Sequence, residues 1–244
     1  MEGRVSNYKK KPKMYQTGTI NSLINAVYDG DICIGELKEH GDFGLGTFDM
    51  VDGEMIVCDN IYYRADVNGN LEVVSDETLT PFAVINKFIP NQDIGLNNKR
   101  YEQIEEYLLN FFPSKNMIYA IKIEGKFKSI LLRSEACQPR TYQKMSETMP
   151  ELQKTFSKND IEGTLVGVWF PQYLEQLNVP GFHFHFIDKD RSIGGHVFNF
   201  ELEKGRAYIQ ELKSLQVDLI DNDEFATAEL MADSEAIHQV EKQR

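Results

Sequence analysis

The stretch Gly181–Leu202, GFHFHFIDKDRSIGGHVFNFEL, constrains the fold more than any other part of the chain. Its apolar residues recur at every second position, a spacing that fits the two faces of a β-strand and not the 3.6-residue turn of a helix. Phe182, Phe184 and Phe186 fall on one face and His183 and His185 on the other. The segment DKDRSIGG breaks the alternation, and Gly194 and Gly195 permit a tight return. A hairpin closed there brings His196 beside the first two histidines. Three of the five histidines in the chain therefore meet on one face.

The rest of the 244-residue sequence supports a β-rich chain with inserted helices. Short apolar runs between Gly41 and Val74 are punctuated by Asp52-Gly53 and Asn68-Gly69, both strong hairpin signals. TPFAVINKF and TLVGVWF read as further strands, and MIYAIKIEGKFKSILLRS as a hairpin turning at Glu124-Gly125. Ile20, Leu23, Ile24, Val27 and Tyr28 have helical spacing before Gly30, RYEQIEEYLLNFF forms a second helix, and the tail DSEAIHQVEKQR a third. The expected class is α+β, with two β-rich domains of mixed, mostly antiparallel sheets. The expected division is a flexible leader over 1–14, a mixed α/β-sheet domain over 15–150 and a β-rich metal-binding domain over 151–244.

A formal net charge of −12 argues against a nucleic-acid partner, because an acidic surface repels phosphate backbones. Cys33, Cys58 and Cys137 form no CxxC pair and read as free thiols of a reducing compartment. The basic start MEGRVSNYKKKPK is followed by no apolar stretch of signal-peptide length, and no run approaches a membrane span. Cytoplasmic location is the expectation.

Three neutral imidazoles converging on one point suit a divalent first-row metal, and zinc is the first expectation. Three protein ligands leave a coordination position open, as catalytic sites require. Iron, manganese and cobalt remain open on ligand type alone.

The sequence resembles the α-acetolactate decarboxylase family. The matching segments are HGDFGLGTF (40–48), VDGEM (51–55), YRAD (63–66), TPFAV (80–84) and the long run from Gly163 to His196. The resemblance implies a two-domain, β-rich metalloenzyme, commonly a homodimer, that converts 2-acetolactate to acetoin and carbon dioxide. It implies zinc on His183, His185 and His196, and further site positions at Thr47, Glu54, Arg133 and Glu241. In the family an apolar residue and a proline tend to follow the arginine. Here the run is RSEACQPR, so Arg140 competes with Arg133, and in the short tail Glu235 competes with Glu241.

The chemistry fits those residue types. The ketone of 2-acetolactate is β to the carboxylate, so loss of carbon dioxide gives an enediolate. A Lewis-acid metal chelating the hydroxyl and carbonyl oxygens stabilises that charge without a Schiff base or thiamine-type cofactor. Stereospecific protonation needs an acid fixed on one face, and Glu54 is the first candidate if burial raises its pKa. Glu241 is the second, as a ligand or a proton relay. Arg133 would orient the carboxylate as a bidentate fork, and the Thr47 hydroxyl would hydrogen-bond substrate. Two other readings stay open: a different three-histidine oxygenase or hydrolase, and a non-catalytic metal-binding module.

Overall fold

The computed structural model describes residues 11–230 together with Ile237 and Val240. Fourteen strands are formed among them: β1 (Lys13–Thr17), β2 (Ile32–Cys33), β3 (Phe43–Thr47), β4 (Glu54–Cys58), β5 (Ile61–Ala65), β6 (Leu71–Val73), β7 (Leu79–Thr80), β8 (Ala83–Asn86), β9 (Gln92–Arg100), β10 (Ile118–Glu135), β11 (Gln153–Phe170), β12 (Gly181–Asp188), β13 (Gly194–Leu212) and β14 (Ser214–Asp218). The helices are α1 (Ile20–Ile24), α2 (Ile34–Leu37), α3 (Tyr101–Leu109), α4 (Met145–Leu152) and α5 (Asp223–Thr227). The α+β, β-rich class expected from the sequence is the observed one. No helix among the described residues is long and apolar enough to cross a membrane.

A seven-stranded sheet has the order β14-β1-β8-β3-β4-β5-β6, and only its β1–β14 pair is parallel. A five-stranded antiparallel sheet has the order β10-β11-β12-β13-β9, and β10 also pairs with β13. The pairings β10–β11–β12–β13–β10 therefore close into a ring. Lys13 and Met14, placed by sequence in the leader, start β1, and Met14 is fully buried. Position 150/151 lies inside α4, between two strands of the five-stranded sheet. Residues 1–10 of the expected leader lie outside the described residues, as does most of the expected terminal helix. Of that tail, Ile237 and Val240 are helical and buried in the core between the sheets.

The expected turn at Glu124-Gly125 does not form: Ile118–Glu135 is one continuous strand. Gly125 pairs with Gly163 on one side and Gly205 on the other. A Cβ on Gly125 would stand 2.6 Å from the Lys204 carbonyl oxygen, so this glycine allows close strand packing and not a reversal. The Gly69 turn does form between β5 and β6, with φ +80°. Helix α1 starts as its cap dictates, with Ser22 N–H donating to the Thr19 hydroxyl. It stops sooner than its apolar stripe does, at Asn25.

Three cores result. One fills the space between the sheets, joining Leu45, Ile56 and Val84 of the first to Val166, Val168 and Ile187 of the second. A second lies behind the five-stranded sheet under α3 and holds Phe182, Phe184 and Phe186. A smaller third packs α2 against the back of the seven-stranded sheet. The phenylalanine face of β12 is thus anchored as its alternation predicts, each buried ring contributing about 1.5–3 kcal/mol. Gly163 and Gly167 on β11 leave the room for Phe186 and Phe184: a Cβ at either would sit within 2.4 Å of a ring atom.

Candidate metal centre and catalytic pocket

With Phe182, Phe184 and Phe186 in the back core, His183 and His185 must face the space between the sheets, and they do so almost fully buried. His196 is the third residue of the return strand β13 and pairs directly with His185. The Asp188 carboxylate sets that return by accepting from the N–H groups of Ser192 and Ile193 and from the Ser192 hydroxyl. His183 Nε2 lies 3.2 Å from His185 Nε2 and 3.1 Å from His196 Nδ1. Ligands at about 2.0–2.1 Å from one tetrahedral ion would stand about 3.3 Å apart, so this spacing fits a shared cation.

The tautomer of His185 supports the same fit. Its Nδ1 lies 2.8 Å from the Met55 carbonyl, which can only accept, so Nδ1 carries the proton and Nε2 presents a lone pair. Burial, followed by the neighbouring His183, holds the pKa of His185 well below the usual imidazole value and keeps the ring neutral. Glu54 Oε2 lies 3.3 Å from that Nε2. A carboxylate beside a lone pair is unfavourable unless a proton or a cation stands between them. The donor set therefore suits a divalent metal, and the three ring nitrogens offered lie within 4.8 Å of one another.

Glu54 reaches this point from the other sheet. It is the first residue of β4 and pairs with Thr47 at the end of β3. The connection between them is strained: Met50 and Val51 have φ of 58° and 55°, values that a β-branched residue such as Val51 rarely adopts. Thr47 Oγ1 donates to the Gly53 carbonyl at 2.8 Å and clasps the connection immediately before Glu54. The Thr47 hydroxyl, expected to meet substrate, is thus committed to the backbone as a donor.

Arg133 projects from β10, where it pairs with His196. Its Nε lies 3.7 Å from Glu54 Oε1. Its Nη1 donates to Gln153 Oε1 at 3.1 Å and to the Val240 carbonyl at 2.9 Å, and lies 3.1 Å from Glu135 Oε1. Phe198 stands under the guanidinium, 5.4 Å from ring centre to Cζ. Arg140, the competing arginine, is exposed and paired with Asp29 outside the pocket. Glu241 and Glu235 lie outside the described residues. His40 is stacked on Tyr15 away from the site.

The three histidines, Thr47, Glu54 and Arg133 line one small pocket, together with Val51, Phe82 and Glu135. Glu135 was missed in the sequence reading. The signal available was the Arg-x-Glu spacing on a strand, which places both side chains on one face.

The profile of the family described as alpha-acetolactate decarboxylase matches residues 14–232. The chain belongs to the α-acetolactate decarboxylase family. It is 38% identical over 222 residues to the alpha-acetolactate decarboxylase of Bacillus licheniformis, covering 91% of this chain and 87% of that protein. Identity to the Methanosarcina mazei relative of the same name is also 38%, over 231 residues, covering 94% of this chain and 80% of the relative. The crystal structure of alpha-acetolactate decarboxylase from Bacillus subtilis strain 168 superposes with a TM-score of 0.92 at 33% identity, covering 94% of this chain and 99% of that one. The family's overall fold is therefore shared by both sheets, and the histidine hairpin and the Glu54 connection belong to the shared part of the chain.

Proposed function

We propose that this protein is a zinc-dependent decarboxylase that converts 2-acetolactate to acetoin and carbon dioxide. One observation carries the reading: three buried histidine nitrogens converge within reach of Glu54 from the opposite sheet, beside Arg133 in the same small pocket. His183, His185 and His196 would hold the metal. Bound there, zinc would supply a Lewis acid for the charge that develops on the substrate's ketone oxygen.

The chain's own residues account for the rest. Arg133 orients the departing carboxylate, its guanidinium held by Gln153, the Val240 carbonyl and the Phe198 ring. Glu54 is the acid that delivers a proton to one face of the enediolate carbon once carbon dioxide has left, which accounts for a single product hand. Thr47 acts on Glu54 and not on substrate: its bond to the Gly53 carbonyl fixes the strained connection that aims the carboxyl group. Apolar walls from Val51 and Phe82 keep water from competing as the proton source. A homodimer goes with this reading through the family resemblance, and a reducing, cytoplasmic compartment through the free thiols Cys33, Cys58 and Cys137.

The test is direct. Metal-replete protein mixed with 2-acetolactate is expected to release carbon dioxide and form one enantiomer of acetoin, read by gas evolution and chiral chromatography. Acetoin at the rate of the buffer blank would overturn the proposal.

A further inference from the structure

Arg133 and Glu135 lie two residues apart on β10, so both side chains face the pocket, and both are deeply buried, at 3% and 4% exposure. A buried carboxylate is costly, several kcal/mol before any partner compensates it. The cost needs a reason, and hydrogen bonding to Arg133 does not supply one. The Nη1 group already has two neutral acceptors, Gln153 Oε1 at 3.1 Å and the Val240 carbonyl at 2.9 Å. An amide at position 135 would offer the same oxygen. What Glu135 adds is a further negative charge 3.1 Å from the guanidinium, nearer than Glu54 Oε1 at 3.7 Å.

We propose that Glu135 is the counter-charge that sets how strongly Arg133 attracts a carboxylate ligand, and so fixes the pocket's balance between anionic and neutral guests. The proposal deepens the decarboxylase reading and rests on it for the carboxylate as the natural guest. Its chemical logic follows from the reaction class. A carboxylate that must leave as neutral carbon dioxide is lost more slowly the more tightly it is gripped beforehand. An arginine with less negative charge beside it would hold the bound acid more tightly. An arginine already paired with Glu135 orients the same group with less attraction. Glu135 is thus a positioning and specificity residue acting through Arg133.

The test compares two stable probes on the metal-loaded protein by titration calorimetry. One is 2-hydroxy-2-methylbutanoate, an acid lacking the ketone. The other is 3-hydroxy-3-methylbutan-2-one, in which a methyl group replaces the carboxylate. Glu135→Gln is expected to tighten the acid about tenfold and to leave the neutral ketone within about twofold. Glu135→Asp keeps the charge and is expected to retain the wild-type preference. With 2-acetolactate, Glu135→Gln is expected to lower KM and kcat together, a split that a general loss of folding does not produce. If Glu135→Gln does not fold, Glu135→Met removes the same charge at similar length and carries the same expectation. Acid binding that is unchanged, weakened or undetectable in the neutral variants, or a shift equal for both probes, would overturn the proposal. Wild-type protein that makes no acetoin would sink the decarboxylase reading, while the calorimetric comparison would still judge Glu135.

Discussion

The two halves of the pocket are built on opposite plans. The histidine half comes from one hairpin, β12 and β13, whose three imidazoles lie within fourteen residues of one another and whose geometry follows from strand alternation and a short return. The carboxylate-and-arginine half is gathered from distant parts of the chain: Glu54 from a strained connection in the seven-stranded sheet, Arg133 and Glu135 from β10, Gln153 from β11 and the Val240 carbonyl from the tail. The contrast teaches where precision comes from. A regular strand fixes the histidine triangle locally, whereas the carboxylates and the arginine depend on the two sheets meeting correctly.

That contrast can be broken at several points. The largest effect is expected at the hairpin's metal-facing side. His183→Ala should abolish metal retention in elemental analysis and lower decarboxylation by about 10³-fold or more, with the circular dichroism spectrum preserved. On the hairpin's other face, Phe184→Ala should cost about 3–5 kcal/mol in urea unfolding, since the ring fills a space that Gly167 leaves open. If either variant behaves like wild type, the hairpin is not the self-contained unit described above.

The assembled half should respond differently. Glu54→Gln is expected to keep metal affinity within about tenfold while slowing turnover by about 10²-fold, read by stopped-assay acetoin formation. A full loss of metal would move Glu54 into the ligand set and blur the division. Thr47→Val removes the clasp on the Gly53 carbonyl and should cost about 1–3 kcal/mol of stability with a fall in kcat.

The smallest effect concerns the β5–β6 turn, where the Gly69 carbonyl accepts from the Gly194 N–H of the histidine hairpin. Burial alone would raise the Asp66 carboxyl, but hydrogen bonds from the Asn70 side chain and from the Asn70 and Asn68 N–H groups outweigh it and hold its pKa below 3.8. A carboxyl lowered on folding adds stability above its unfolded pKa, and that stability is lost as pH falls through the lower folded value. Asp66→Asn should therefore lower the melting temperature slightly at neutral pH and hardly at all in acid, which flattens the acid limb below about pH 4.

Legibility in the sequence follows the same division. The histidine triangle and the phenylalanine backing were readable because period-two alternation fixes both faces without reference to any other segment. Glu124-Gly125 was misread because a turn glycine and a close-packing glycine look alike until Gly163 and Gly205 are seen flanking it. Glu135 escaped notice because an acid on a strand is solvent-facing by default, and its burial in the pocket shows only once the chain is folded. Arg133 was preferred to Arg140 on the family resemblance alone, and the fold adds that Arg140 lies on the surface beside Asp29. Thr47 was placed in the right neighbourhood, but its bonding partner depended on a connection whose left-handed residues no propensity predicts.

The closed ring of strands has a weak joint. Where β10 and β11 run alongside each other for most of their length, β12 and β13 are stitched by just three residue pairs, and the first of these is His185 with His196. An ion gripped by both would act as a rivet across the seam, so loading the protein with metal should slow hydrogen exchange along β12 and β13 far more than along the outer strand β9. Chelation would then loosen the enclosure itself, making catalytic charge and mechanical closure two outcomes of a single binding event.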